Sequence, residues 1–166
     1  MRHKPRLGNK YAIEQEMKRK KEQLIPALID QAPLKIRFSE VDSMSVVWHG
    51  EYIRYFEDGR ESFGEHYELT YLDVFAAGYV IPIVEVDCQF KHSLHVGEHA
   101  TIETRYINTD AAKIRFEYDI YKEPEHILAA TGHSLQVFVK RDSNELDLTI
   151  PDFYLQWKKK WNLTDK

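Results

Sequence analysis

A single cysteine, Cys88, occurs in the 166 residues. One thiol can build neither an intrachain disulfide framework nor a Cys-rich zinc site, and such scarcity points to a reducing compartment. Its neighbours, Asp87 and Gln89, offer no basic surroundings to activate it, so Cys88 reads as a small buried residue of a strand. No apolar run approaches the roughly 20 residues needed to span a bilayer. The N-terminus carries charge without the apolar stretch of a signal peptide, so a cytoplasmic protein with no membrane span is expected. Gly-rich phosphate loops of the Walker or dinucleotide type are also missing, which leaves nucleotide hydrolysis and hydride transfer unsupported. Of the eight histidines, His92, His95 and His99 lie close together, but Val96-Gly97 between them reads as a turn. No helical carboxylate-His motif accompanies them, and no metal is expected.

What the chain does have is apolar material: 43% hydrophobic and 13% aromatic residues, enough for one sizeable core. Its charge is unevenly spread. Residues 1 to 22 hold eight Lys and Arg against three Glu, leaving 15 basic and 24 acidic residues after them, so a +5 arm precedes a −9 body. A basic, partly ordered extension over residues 1–32 is expected, followed by a single domain over 33–166. The arm reads more simply as a solvated helix than as a nucleic-acid tail, and nucleic acid is not expected as a partner. Near the other end, Phe153, Tyr154, Trp157 and Trp161 are interleaved with Lys158, Lys159 and Lys160. This reads as an amphipathic terminal helix capped near Asp152, its aromatic side packed on the body and its lysines suiting the negative helix end.

Between these termini the hydrophobic period changes. Leu34, Ile36 and Phe38 alternate with polar residues, as on a strand with one buried face. Tyr52, Tyr55, Phe56, Gly59 and Phe63 then recur at helical spacing. Four more strand patterns follow: Val84-Val86-Cys88-Phe90, residues 101–106, Ile114-Phe116-Tyr118-Ile120, and residues 133–140 with Leu135, Val137 and Val139 on one face. The order strand, helix, four strands predicts a two-layer α+β domain, an antiparallel sheet of about five strands with one long helix as its cover.

The segment from Ile36 to Arg60 carries the chemistry. Asp42 sits in the loop that leads into the helix, and a helix start offers unpaired backbone N–H groups and the positive end of the macrodipole to an oxygen that gains negative charge. A carbonyl polarised there can be attacked by the Asp42 carboxylate, or by a water that Asp42 deprotonates, which makes acyl transfer to water the natural reaction class.

The run Phe38–Arg60 resembles the signature of the hotdog-fold acyl-CoA thioesterases of the 4-hydroxybenzoyl-CoA thioesterase type. There, an Asp is followed three residues on by Gly, then by an apolar pair, an aromatic residue, often His-x-x-Tyr, and a Phe-Glu-x-x-Arg helix. The matching positions are Asp42, Val46, Val47, Trp48, His49, Tyr52, Phe56, Glu57 and Arg60. The resemblance implies the hotdog fold and thioester hydrolysis to free acid and CoA, with Asp42 as the catalytic carboxylate and the backbone N–H of His49 in the oxyanion site. Val47, Trp48 and Tyr52 would line the substrate site. No cofactor is implied beyond CoA as part of the substrate, and the partner would be an acyl-CoA or acyl carrier protein thioester. Family members of this kind are generally dimers or larger assemblies, so a homo-oligomer, dimer or tetramer, is implied.

Two positions depart from the pattern. Ser45 stands where Gly is usual, and left-handed backbone costs Ser more than Gly. Glu51 stands where Asn is usual and adds a second negative charge to the first helical turn. These substitutions keep an alternative open, a hotdog-fold binding module for acyl thioesters with impaired hydrolysis. Lys91, His92, Arg105, Lys113 and Arg115 are candidates for the phosphates of CoA, although outward charge is the default on a half-exposed sheet.

Overall fold

The computed structural model describes residues 27–164. The predicted arm therefore falls outside the described residues up to position 26. Five strands form one antiparallel sheet in the order β1-β4-β5-β6-β3. These are β1 (Leu28–Lys35), β3 (Ile83–Phe90), β4 (His99–Ile107), β5 (Lys113–Glu123) and β6 (Ile127–Val137), while the short β2 (Tyr79–Val80) pairs with β7 (Val139–Lys140) in a separate ribbon. The long helix α1 (Glu51–Tyr67) lies against β1 and β4, α2 (Tyr71–Ala76) follows it, and α3 (Asp152–Lys160) closes the described chain. This is the two-layer α+β arrangement that the pattern predicted, and it agrees with the hotdog fold that the resemblance implied.

The apolar stripe of α1 forms its buried face. Tyr52, Tyr55, Phe56 and Phe63 are buried there, meeting Ile102, Tyr106, Ile114, Phe116, Tyr118 and Ile120 of the sheet in one core. Phe56 stacks on Tyr118 with ring centroids 4.4 Å apart. Each such ring stabilises the fold by about 1.5–3 kcal/mol through burial. Helix α1 stops where Glu68 turns left-handed at φ 58°, and Thr70 and Asp73 exchange side-chain bonds that start α2. Tyr154 and Trp157 of α3 are buried, with the Trp157 indole donating to Tyr67 O at 2.7 Å.

Two strand assignments change. The first strand begins earlier than expected, at Leu28, and ends at Lys35; Leu34 and Ile36 are buried, but Phe38 belongs to a short 3₁₀ turn and is exposed. In the second half of β6 the inward face is polar. Ser134 and Gln136 are buried while Leu135 and Val137 lie on the other face, and Val139 leaves the main sheet for the ribbon.

The two sheet edges differ. On β1, Asp30 turns inward and is held by Ser62 Oγ and His66 Nδ1, both at 2.7 Å, Tyr67 donates its hydroxyl to Ile29 O, and Pro33 has no N–H. On β3, Val84, Val86 and Phe90 are exposed.

Candidate active site

Asp42 lies half-buried in a tight loop between the 3₁₀ turn and α1. Its N–H donates to Val46 O at 2.9 Å, its C=O accepts from Ser45 N–H at 3.0 Å, and its Oδ1 accepts from Met44 N–H at 2.8 Å. The loop is closed by bridges between Val41 and Val47 and between Val46 and His95. Ser45 adopts φ 61°, so this chain takes up with serine the left-handed turn that glycine reaches freely.

Two further anchors carry the chain from Asp42 to the helix. Val47 is buried, its N–H donating to Leu94 O, and Trp48 N–H donates to Glu40 O, each at 2.9 Å. Glu40 also accepts from the Tyr55 hydroxyl at 2.9 Å and from Arg37 N–H at 2.7 Å through its carboxylate. It thus ties the loop to the second turn of α1. The sequence offered no signal for this role, because Glu40 looks like any exposed acid near a turn.

Gly50 caps α1. Among the described residues, no acceptor is paired with the backbone N–H groups of His49 and Gly50. The His49 ring is exposed and lies 4.8 Å from that of Trp48. Tyr52 is buried and packs edge-on against Phe90, and burial pushes its phenol above the ordinary value. Four of the five residues singled out from the sequence, Val47, Trp48, His49 and Tyr52, are therefore gathered from the end of the Asp42 loop to the first turn of α1. Glu51 is largely buried in that turn, with its carboxylate 3.2 Å from Arg54 Nη1. Its charge is thereby offset within the helix.

The nucleophile alternative at Cys88 has no support, since burial and then Asp87 push its thiol up to about 11. Arg105, a candidate for phosphate, is already held by Asp119 at 2.6 Å and Glu103 at 2.9 Å. A cavity of about 640 Å³ opens elsewhere, beside the second half of α1 and the start of α2. Asp42 is not part of its lining; Glu57 and Arg60, both matched in the sequence signature, are.

A thioesterase-like superfamily matches residues 36–158 of this sequence. The chain belongs to the thioesterase-like superfamily. This thioesterase-like chain is 25% identical over 134 residues to a candidate acyl-CoA thioesterase of Bacillus subtilis, covering 79% of itself and 96% of that relative. It is 33% identical over 104 residues to a chloroplastic acyl-acyl carrier protein thioesterase of Arabidopsis thaliana, covering 61% of itself and 55% of the plant protein, so it spans about half of that relative's length. A DHNA-CoA thioesterase from Staphylococcus aureus superposes with a TM-score of 0.72 at 23% identity, covering 81% of this chain and 92% of the other. A second Staphylococcus aureus protein, solved in complex with CoA, gives 0.71 at 13% identity, covering 86% and 89%. At these identities the two solved structures bear on the fold.

Proposed function

We propose that the chain is an acyl-CoA thioesterase that splits an acyl-CoA into free acid and CoA. One observation carries the reading: Asp42 stands in a pinned loop that ends at a helix start with two unpaired amides. The thioester carbonyl oxygen would sit on the His49 N–H at the positive end of α1. Asp42 would take a proton from the attacking water and return it to the sulfur, so that CoA departs as thiol. If Asp42 attacks the carbonyl itself, CoA departs as thiolate and takes its proton from solvent, and a water then hydrolyses the mixed anhydride to free acid and Asp42. Val47, Trp48 and Tyr52 would form the adjoining wall.

Hydrolysis is favoured over the binding module because both departures from the family pattern are accommodated. Ser45 keeps the left-handed turn, and Glu51 is partnered by Arg54. CoA is the proposed carrier, in a cytoplasmic setting, with acyl carrier protein as the variant named by the plant relative.

A second copy is part of the same reading. The exposed apolar edge of β3 suits pairing with its own equivalent across a two-fold axis. Antiparallel pairing would set the two α1 helices in opposite directions.

The test is free-thiol release from short, long and aromatic acyl-CoA esters by the wild type and Asp42→Asn. A folded Asp42→Asn is expected to lose roughly a hundred- to ten-thousand-fold in kcat. A folded wild type that binds these esters without releasing thiol would identify the binding module instead.

A further inference from the structure

The cavity beside α1 has an uncovered apolar wall and an uncompensated acidic rim. Leu69, Leu72, Ile83 and Phe116 belong to the wall, and Leu72 and Ile83 are exposed. Contiguous exposed apolar surface rimmed by polar groups marks an interaction site. The rim comes from α1, where Glu57, Glu61 and Glu65 recur at helical spacing and are exposed. Among the described residues none of these carboxylates is in an ion pair. Arg60, the guanidinium in the lining, is turned instead to the Tyr118 hydroxyl, 3.0 Å from its Nη1. The surface therefore fits an occupant that is both basic and apolar.

The chain itself carries such a segment. Residues 17–25 hold Lys18, Arg19, Lys20 and Lys21 in a row, with Met17 before them and Leu24 and Ile25 after. The point where this arm joins the sheet is close to the cavity. Ala27 N–H donates to Tyr106 O, the Tyr67 hydroxyl donates to Ile29 O, and Asp30 is held by Ser62 and His66. The described chain thus starts beside the last two turns of α1, the turns that also carry Glu61 and Glu65. Ser62 and His66 meet β1, while their sequence neighbours Glu61 and Glu65 line the cavity. From β1 to the cavity is therefore about one helix diameter, roughly 10–12 Å. The six residue steps from Ala27 back to Lys21 reach about 20 Å when extended, which spans it. An occupant joined to its site by so short a connection acts at an effective concentration on the order of millimolar, and this favours it over a separate partner of similar composition.

We propose that residues 17–25 dock in the cavity of their own chain, with the basic run on Glu57, Glu61 and Glu65 and with Met17, Leu24 and Ile25 on the apolar wall. The arm is then an intramolecular strap. Salt loosens it by screening its exposed ion pairs, and any other apolar ligand of the cavity has to displace it. The docking is independent of the reaction performed at Asp42.

The experiment uses the full chain in dilute solution. A water-soluble carbodiimide joins a lysine amine to a carboxylate where the two are in contact, and mass spectrometry identifies the linked peptides in the monomer band of a denaturing gel. Links from Lys18, Lys20 or Lys21 to Glu57, Glu61 or Glu65 are expected, with a yield at least about threefold lower in about 0.5 M NaCl. No links, links to other carboxylates only, or a yield indifferent to salt overturns the proposal. Links confined to the covalent dimer band assign the cavity to the arm of a second copy and overturn it as well. Hydrogen exchange gives an independent reading. The backbone amides of residues 17–25 should exchange at least about fivefold more slowly in the wild type than in the double variant Glu61→Lys with Glu65→Lys. Both positions are exposed on α1, and the melting curve of the variant checks its folding. Glu61→Gln with Glu65→Gln serves if the lysine variant does not fold. Equal exchange in wild type and variant overturns the strap.

Discussion

The indole of Trp48 lies over Gly50 so closely that a Cβ at position 50 would fall 2.0 Å from its Cζ3. The chain entering α1 is thus covered by a half-exposed ring, and only a residue without a side chain fits beneath it. Gly50→Ala is expected to rotate Trp48 away. Because the ring can move into solvent, the stability cost should be modest, about 1 kcal/mol. The change should instead raise KM, with a shifted tryptophan emission spectrum in the same variant. A shifted spectrum with an unchanged KM would show that Trp48 does not line the site.

Ser45 holds φ 61°, a conformation that costs a non-glycine residue roughly 1–2 kcal/mol in local strain. Ser45→Gly should keep the loop and activity and leave stability within about 1 kcal/mol of wild type, since greater unfolded-state freedom offsets the relief. Ser45→Val, β-branched, should lower both stability and kcat. Denaturation midpoints and steady-state rates of the two variants check this.

Gly132 on β6 faces Phe56 of α1. A Cβ there would lie 2.4 Å from Asp87 O and 2.5 Å from the Phe56 ring, with backbone on one side and a buried ring on the other. Gly132→Ala should therefore cost about 1–3 kcal/mol by overpacking, read as a lower urea midpoint.

Glu98 supports the Asp42 loop at one remove. Its carboxylate accepts from His95 N–H at 2.9 Å and pairs with Lys122 at 2.6 Å, and His95 bridges to Val46. Burial alone would raise this carboxyl, but Lys122 and the His95 amide outweigh it and hold the carboxyl below the ordinary glutamate range. A carboxylate depressed on folding contributes stability above its unfolded value, about 4.3, and that contribution is lost as pH falls through the lower folded value. Stability should thus be flat in this respect near neutrality and fall in acid, by less than about 1 kcal/mol from this partly exposed pair. In Glu98→Gln that part of the acid drop should vanish from urea titrations at about pH 6 and about pH 3.5.

The helix and β5 were legible because their partners are apolar: Phe56 and Phe63 on one side, and Ile114, Phe116, Tyr118 and Ile120 on the other, obey a single period. Position 42 was legible for a different reason, since an acid ahead of a helix start has recognisable chemistry. The inward face of β6 was not. Ser134 and Gln136 are buried because Tyr118 and Ile81 O, from other elements, supply their partners, and a hydrophobic pattern reads such positions as outward. Phe38 misled in the opposite sense. Arg37 N–H donates to the Glu40 carboxylate and Glu40 N–H to Arg37 O, which turns the chain there and leaves the ring exposed, although its spacing continues that of Leu34 and Ile36. Glu40 escaped notice because its partners, Tyr55 and Trp48, are assembled only by the turn itself.

The unlike edges of the sheet set a limit on growth. An inward carboxylate at Asp30, a proline at position 33 and the Tyr67 hydroxyl on Ile29 O make β1 a poor template for another strand, whereas β3 has no such guard. A ribbon extended at both ends can propagate into a fibre; one stoppered at one end can only double. Joining β3 to β3 would exhaust the adhesive margin of both molecules at once, and the finished particle would present β1 alone at either extremity.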